Sequence, residues 1–273
     1  TDSNGLTAFG TDGFTVGSSA GTNANNETYV GWNWKAGTSF SNSAGANGAS
    51  LASTGSVNTT SGFSIISFAG ASAVSTVAHG LGVAPKMIIF KNRSDADAWG
   101  VYHESIGSNA ALYLNENAGN DGTLWNNTAP TSSVFTVQNN SAVNGSGNNI
   151  IAYCFAEKQG YSKMAAYKGN GNVNGTFVYT GFKPSFILVK RTNGSENWTI
   201  MDSARDPVNV AVNKLHPNTN GGTDAGATID ILSNGFKNRT TNAGANGSGD
   251  SYIYMAFAEN PFVASNFNAA TAR

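Results

Sequence analysis

One apolar strand is written three times in this chain. The copies read Tyr29-Val30-Gly31-Trp32-Asn33-Trp34-Lys35-Ala36, Ile150-Ile151-Ala152-Tyr153-Cys154-Phe155-Ala156-Glu157 and Tyr252-Ile253-Tyr254-Met255-Ala256-Phe257-Ala258-Glu259. Each follows a Gly/Asn/Ser-rich stretch, itself preceded by a hydrophobic stub at Phe14, Phe135 or Phe236. The stub-to-strand spacings are 15, 15 and 16 positions. Internal repetition of this kind fixes the architecture before any single residue does. Residues shared by the copies read as framework, so chemistry is to be sought where the copies differ.

The second and third copies share far more than this strand. Pro85 and Pro184 lie 99 apart, as do Trp99 and Trp198. Between them run Met87-Ile88-Ile89-Phe90 and Phe186-Ile187-Leu188-Val189, continuous apolar runs suited to strands buried on both faces. The spacing predicts two β-sandwich repeats, 62–158 and 159–263, each of small-domain size. Residues 1–37 hold only the closing hairpin of a partial repeat, 38–61 read as a flexible linker and 264–273 as a C-terminal tail. The expected fold is all-β: two tandem antiparallel β-sandwich repeats with a partial N-terminal repeat. Strands are expected at 13–17 and 28–35, and the hairpin they make is expected to pair with another part of an assembly or with an upstream segment.

Composition supports short strands joined by long polar loops. Charged residues are 11% of the 273 and glycines number 33, yet hydrophobic residues reach 40% and cluster in blocks. Net charge is −1 with no basic run, which argues against nucleic acid or an anionic membrane as partner. No apolar run is long enough to span a bilayer as a helix. The single Cys154 reads as a small buried apolar residue.

Few residues suggest chemistry. His79 reads as a loop residue before a strand. Asp95 and Asp97 lack a second acidic motif at a spacing that implies glycoside hydrolysis. Glu157 and Glu259 end matching strands and read as architecture at a sheet edge. No metal-ligand spacing, catalytic motif or cofactor fingerprint is found, so no catalytic, metal or cofactor residue is assigned. What remains is a binding surface. Sugars offer C–H faces to aromatic rings and hydroxyls to Asn, Asp and Ser. The candidate ligand-binding residues are Trp125, in an Asn/Gly-rich loop, Tyr102 with His103, and Asp202 with Arg205, for which a structural ion pair is the competing reading. Trp32, Trp34, Trp99 and Trp198 are expected in strands, facing the core.

Together, Gly13-Phe14-Thr15-Val16, the three strand copies, His79-Gly80-Leu81-Gly82-Val83-Ala84-Pro85-Lys86-Met87-Ile88-Ile89 and Glu259-Asn260-Pro261-Phe262 resemble a repeated domain of tail, fibre and other virion structural proteins of marine tailed bacteriophages. The resemblance covers nearly the whole chain and carries no catalytic motif. It implies a virion-surface protein of tail-fibre or receptor-binding type. Such a protein would be non-enzymatic and homo-oligomeric, with a trimer the usual expectation, partnered by other virion proteins and by a host surface glycan. The alternatives are a purely structural capsid-decoration or tail scaffold protein, and a polysaccharide depolymerase.

Overall fold

The structure, a computed structural model, describes residues 3–259. It is 40% strand and 4% helix, which makes the fold all-β. Residues up to Trp34 form one compact unit and those from Lys35 onward another. The expected tail at 264–273, and the last four residues of the second expected repeat, lie outside the described residues.

In the small unit, β1 (Leu6–Phe9) pairs antiparallel with β2 (Phe14–Val16), Phe9 opposite Phe14. The one-turn helix α1 (Ala20–Asn23) follows, its Gly21 N–H donating to the Ser19 hydroxyl at 3.3 Å. The Tyr29 hydroxyl then donates to Ala20 O at 2.7 Å and accepts from Ala24 N–H at 2.8 Å. The expected hairpin over 13–35 does not form. β2 pairs with the upstream β1, and residues 27–37 lie in no strand. Alternating apolar residues become a strand only where a neighbouring strand takes up their backbone N–H and C=O groups.

The first half of the large unit contains β3 (Thr38–Asn42), β4 (Ser53–Asn58), β5 (Phe63–Ala69), β6 (Ser75–Ala78), β7 (Met87–Asn92), β8 (Gly100–His103) and β9 (Leu112–Tyr113). After these come β10 (Val134–Val137), the short helix α2 (Ser141–Asn144) and β11 (Asn149–Phe155). Seven of the strands form one sheet in the order β3-β4-β5-β11-β7-β8-β9, faced by the pair β10-β6. The expected linker at 38–61 is therefore mostly a hairpin. It adds β4 to the outer edge of β5, in register from Ser53 opposite Phe68 to Asn58 opposite Phe63. Three partly buried apolar side chains, Phe40, Leu51 and Val57, seat it on the core. The rest of its hold is backbone ladder, to which Ser, Thr and Gly contribute as well as any residue.

The second half shares part of this strand order. It contains β12 (Ser162–Lys168), β13 (Phe177–Tyr179), β14 (Pro184–Arg191), β15 (Thr199–Asp202), β16 (Ala211–Lys214), β17 (Asp224–Leu232), β18 (Gly235–Asn238) and β19 (Ser251–Ala258). One sheet runs β12-β19-β14-β15, matching β5-β11-β7-β8, and the other runs β13-β18-β17-β16. The recurrent strand does not close its sheet. β11 lies between β5 and β7, and β19 between β12 and β14.

Each sheet pair encloses its own core. In the first, Ile66, Phe90, Ile150 and Ala152 meet Val77, Phe135 and Val137 of the facing pair. Phe135 packs edge-on to Phe90, ring centres 5.2 Å apart. In the second, Tyr167, Val189, Tyr252 and Tyr254 meet Val178, Ile229 and Phe236. The other face of β19 is also buried, since Ile253, Met255 and Phe257 are all under 7% exposed. Phe257 meets Phe155 of the first half at 6.1 Å. This double burial explains why the strand reads as a nearly continuous apolar run.

The polar loop before each recurrent strand is built alike in all three copies. Asn140, Asn242 and Ser19 each accept, through the side chain, from the N–H two residues on. The carbonyls of the same residues accept from Asn144, Asn246 and Asn23 N–H at 2.8, 2.7 and 2.8 Å. Residues Asn26, Gly147 and Gly249 then take positive φ of 66°, 71° and 75°, a backbone that Gly and Asn adopt at least cost. In the large unit Asn144 and Asn246 are fully buried. The Asn144 carboxamide accepts from Ala71 N–H and donates to Ala73 O. Asn246 accepts from Asn170 N–H at 3.0 Å and donates to Asn172 O at 2.9 Å and Thr240 O at 2.8 Å.

These buried amides tie two loops together, so Asn246→Ala leaves three part-buried backbone groups, of Asn170, Asn172 and Thr240, without their partner. Each such group costs about 1–3 kcal/mol, and we expect a loss of roughly 2–4 kcal/mol in urea unfolding. A loss below about 0.5 kcal/mol would show that water replaces the amide freely.

Candidate functional site

The aromatic candidates from the sequence are core residues. Trp125 is 2% exposed; its indole N–H donates to Ala110 O at 3.0 Å. Its ring lies 5.0 Å from Phe90 and 5.8 Å, edge-on, from Tyr102. Tyr102 is 3% exposed, and burial pushes its phenol up to about 12. Neither ring can stack on a ligand without opening the core, which corrects their assignment as a binding surface. Among the tryptophans, Trp198 is buried and its indole donates to Tyr113 O at 2.8 Å, joining the two halves of the large unit. Trp99 is half-buried just ahead of β8, with the Lys91 ammonium 5.8 Å from its ring. Trp32 and Trp34, expected in a strand, are half-buried in the segment that forms none.

The polar candidates are equally structural. His103 is fully buried at the end of β8. Its Nδ1 faces Ser105 N–H at 3.2 Å, so Nε2 carries the proton and donates to Tyr254 O at 3.3 Å. Asp202 holds the same place at the end of β15. Its carboxylate accepts from Arg205 N–H at 2.9 Å and from Arg205 Nε at 2.7 Å. The guanidinium also donates to Ile200 O, so this pair staples the turn after β15. Asp206 completes the staple by accepting from the N–H groups of Val212 and Asn213. Glu157 behaves as its place in the repeat implies. Its carboxylate accepts Met164 N–H on the outer edge of β12 at 2.7 Å and pairs with Lys163. Cys154 is fully buried, and burial pushes its thiol up to about 12, far from a reactive thiolate.

Two surface features of the second half went unassigned in the sequence. The first is a polar cleft of about 120 Å³ lined by Glu196, Thr199, Lys214, His216, Asp224 and Asn242. Lys214 and Asp224 are opposed at the ends of β16 and β17, with Nζ to Oδ2 at 3.3 Å. The Lys214 ammonium holds the Asp224 carboxyl below its usual range. His216 places Nδ1 2.6 Å from Trp198 O and Nε2 3.5 Å from the same carboxylate. Lys214 and His216 both face the Asp224 carboxylate. Among the described residues, no group of three or more His, Cys, Asp or Glu is placed to hold a metal ion.

The second feature is the outer face of the sheet β13-β18-β17. Pairing sets Phe177, Lys237 and Asp230 side by side in one cross-strand row, and Tyr179, Gly235 and Leu232 in the next. Phe177 is 45% and Tyr179 64% exposed. Arg239 pairs with Asp230, Nε to Oδ2 at 2.6 Å. The sequence signal was present as Phe177-Val178-Tyr179, but its alternation does not say which side faces the core.

A family model described as a domain of unknown function, DUF7483, matches residues 1–261. The chain belongs to the DUF7483 family. The match spans the small unit and both sheet pairs, so the family takes in all three copies of the recurrent strand. No curated protein and no solved structure matches the chain.

Proposed function

We propose that this DUF7483 chain is a non-enzymatic virion-surface protein of a tailed bacteriophage, of tail-fibre type, that works as a homo-oligomer. The observation that carries the reading is the N-terminal copy of the recurrent strand. Its introductory loop is formed, down to the tyrosine hydroxyl that bridges two backbone groups. Tyr29 bridges Ala20 and Ala24 as Tyr252 bridges Ala243 and Gly247. In the large unit such a loop leads into the middle strand of a sheet, yet residues 27–37 lie in no strand. A copy of the middle strand that is not in strand form suits a chain that finishes folding on a neighbour, by strand addition. The resemblance to phage tail and fibre proteins supports the virion setting. The buried or charge-paired state of the polar candidates supports a structural role over depolymerisation.

The test is the mass of the chain in solution. Light scattering is expected to give a multiple of 28.2 kDa at micromolar concentration. A replacement of Val30 by proline, which removes a backbone donor from the segment, is expected to shift the mass toward the monomer. A chain that is monomeric throughout would refute the assembly reading.

A further inference from the structure

We propose that the outer face of β13-β18-β17 is a glycan-binding platform for a polysaccharide bearing carboxylate or sulfate groups. This inference deepens the virion-surface reading and rests on it for its biological setting. Its strongest support is the comparison between the two halves. In the first half the strand in the place of β13 is β6, paired with β10 as β13 is with β18. Val77 opposite Phe135 corresponds to Val178 opposite Phe236, both turned into the core. The outward residues are then Thr76 and Ala78 in β6, against Phe177 and Tyr179 in β13. The first pair is small and roofed over: Ser50 and Leu51 donate their N–H groups to Thr76 O at 3.0 and 3.1 Å. The second pair is aromatic and exposed.

Packing accounts for only part of this difference. The Phe177 ring lies over Gly235, within 3.2 Å of where a Cβ would stand, and an aromatic covering a cross-strand glycine stabilises a sheet. Tyr179, whose ring lies beside Gly181 two residues on in its own segment, covers no cross-strand glycine and stays 64% exposed. Residues two apart on one strand place their rings about 7 Å apart on the same face. Two rings so spaced can meet the C–H faces of successive sugar units along a chain.

Charge selects among sugars. Lys237 stands beside Phe177 and Arg239 one row beyond it, and Asp230 is the carboxylate in the Lys237 row. Arg239 is already paired with it, which leaves the face with one positive charge in excess. An acidic sugar supplies the opposite charge where Lys237 stands beside Phe177. A protein partner is the less suited occupant, since the centre of a protein interface is depleted in charge. Here charge and aromatic rings share the same row.

The experiment is calorimetry and affinity electrophoresis with polygalacturonate, and with neutral galactan as the control. It uses the full chain, Tyr179→Ala, the double variant Phe177→Ala/Tyr179→Ala and Lys237→Gln. We expect binding of the acidic polymer, weakened at least fivefold by Tyr179→Ala and abolished in the double variant. Lys237→Gln is expected to weaken it and to flatten its salt dependence. Light scattering on the same samples keeps the two readings apart. The platform variants should assemble as the parent does, so lost sugar binding with an unchanged mass supports the platform. Four results would overturn it: no binding of either polymer, equal binding of galactan, a double variant that binds as well as the parent, or variants that lose assembly. The last would make this face an interface between copies.

Discussion

Replacing Trp125 by alanine is expected to cost about 3–5 kcal/mol of stability, the range for removing a large aromatic side chain from a packed core. The ring fills the space between Phe90 on β7 and Tyr102 on β8, and its N–H satisfies the Ala110 carbonyl. Alanine leaves a cavity between two strands and an unmet carbonyl at its rim. For a unit of this size each kcal/mol lowers the melting temperature by roughly 2–4 °C, so a drop of about 6–20 °C is expected in a thermal melt. Trp125→Phe keeps most of the packing and loses the hydrogen bond, and should cost about 1–2 kcal/mol. Sugar binding by the folded variants should be unchanged. The opposite pattern, near-parental stability with lost ligand binding, would return Trp125 to the binding surface.

The same residue shows where the sequence stops being readable. An aromatic in an Asn/Gly-rich loop looks exposed, because its neighbours in the chain are polar. Its burial is decided by Phe90 and Tyr102, 35 and 23 positions upstream. The recurrent strand is the opposite case. Its apolar run, its repetition and its spacing from the phenylalanine stub all point one way, so the two sheet pairs could be expected from it. The roles of Cys154 and Glu157 followed from comparing copies.

The hairpin of β3 and β4 was hidden by its composition. Ser, Gly and Thr read as a linker, yet an outer strand needs few apolar side chains when its neighbour supplies the ladder. The segment 28–35 erred in the other direction, since its residues are strand-forming and yet it lies in no strand. The outer face carrying Phe177 and Tyr179 was missed for a reason of register. In Phe-Val-Tyr either side can be the buried one, and a one-residue slip exchanges them. Only the pairing of Val178 with Phe236 decides it.

Acid should destabilise the protein through its buried histidines. Desolvation lowers the His103 pKa from 6.5 to about 4, an effect that outweighs its hydrogen bond to Tyr254 O and the nearby Glu104 carboxylate; Lys86 opposes protonation as well. His79 is lowered for the same reason, against its bond to Thr131 O. Both rings are fully buried and both use Nδ1 as an acceptor, from Ser105 and Leu81 N–H. A proton on Nδ1 would point at an N–H donor, so protonation must break these contacts. The sign follows from the order of the pKa values. Between pH 6.5 and about 4 the unfolded chain binds a proton at His103 that the folded chain refuses. Stability is therefore full above 6.5 and falls as the pH drops towards 4. For His103 alone the loss at pH 5 is about 2 kcal/mol relative to pH 8. Urea unfolding at the two pH values measures it, and His103→Gln, which keeps a donor and cannot titrate, should remove that share of the difference. Equal midpoints at pH 8 and pH 5 in the parent chain would refute the argument. The proton on Nδ1 displaces the Ser105 N–H and leaves the Nε2–H bond to Tyr254 O on β19 in place, so the turn after β8 is where acid unfolding should begin.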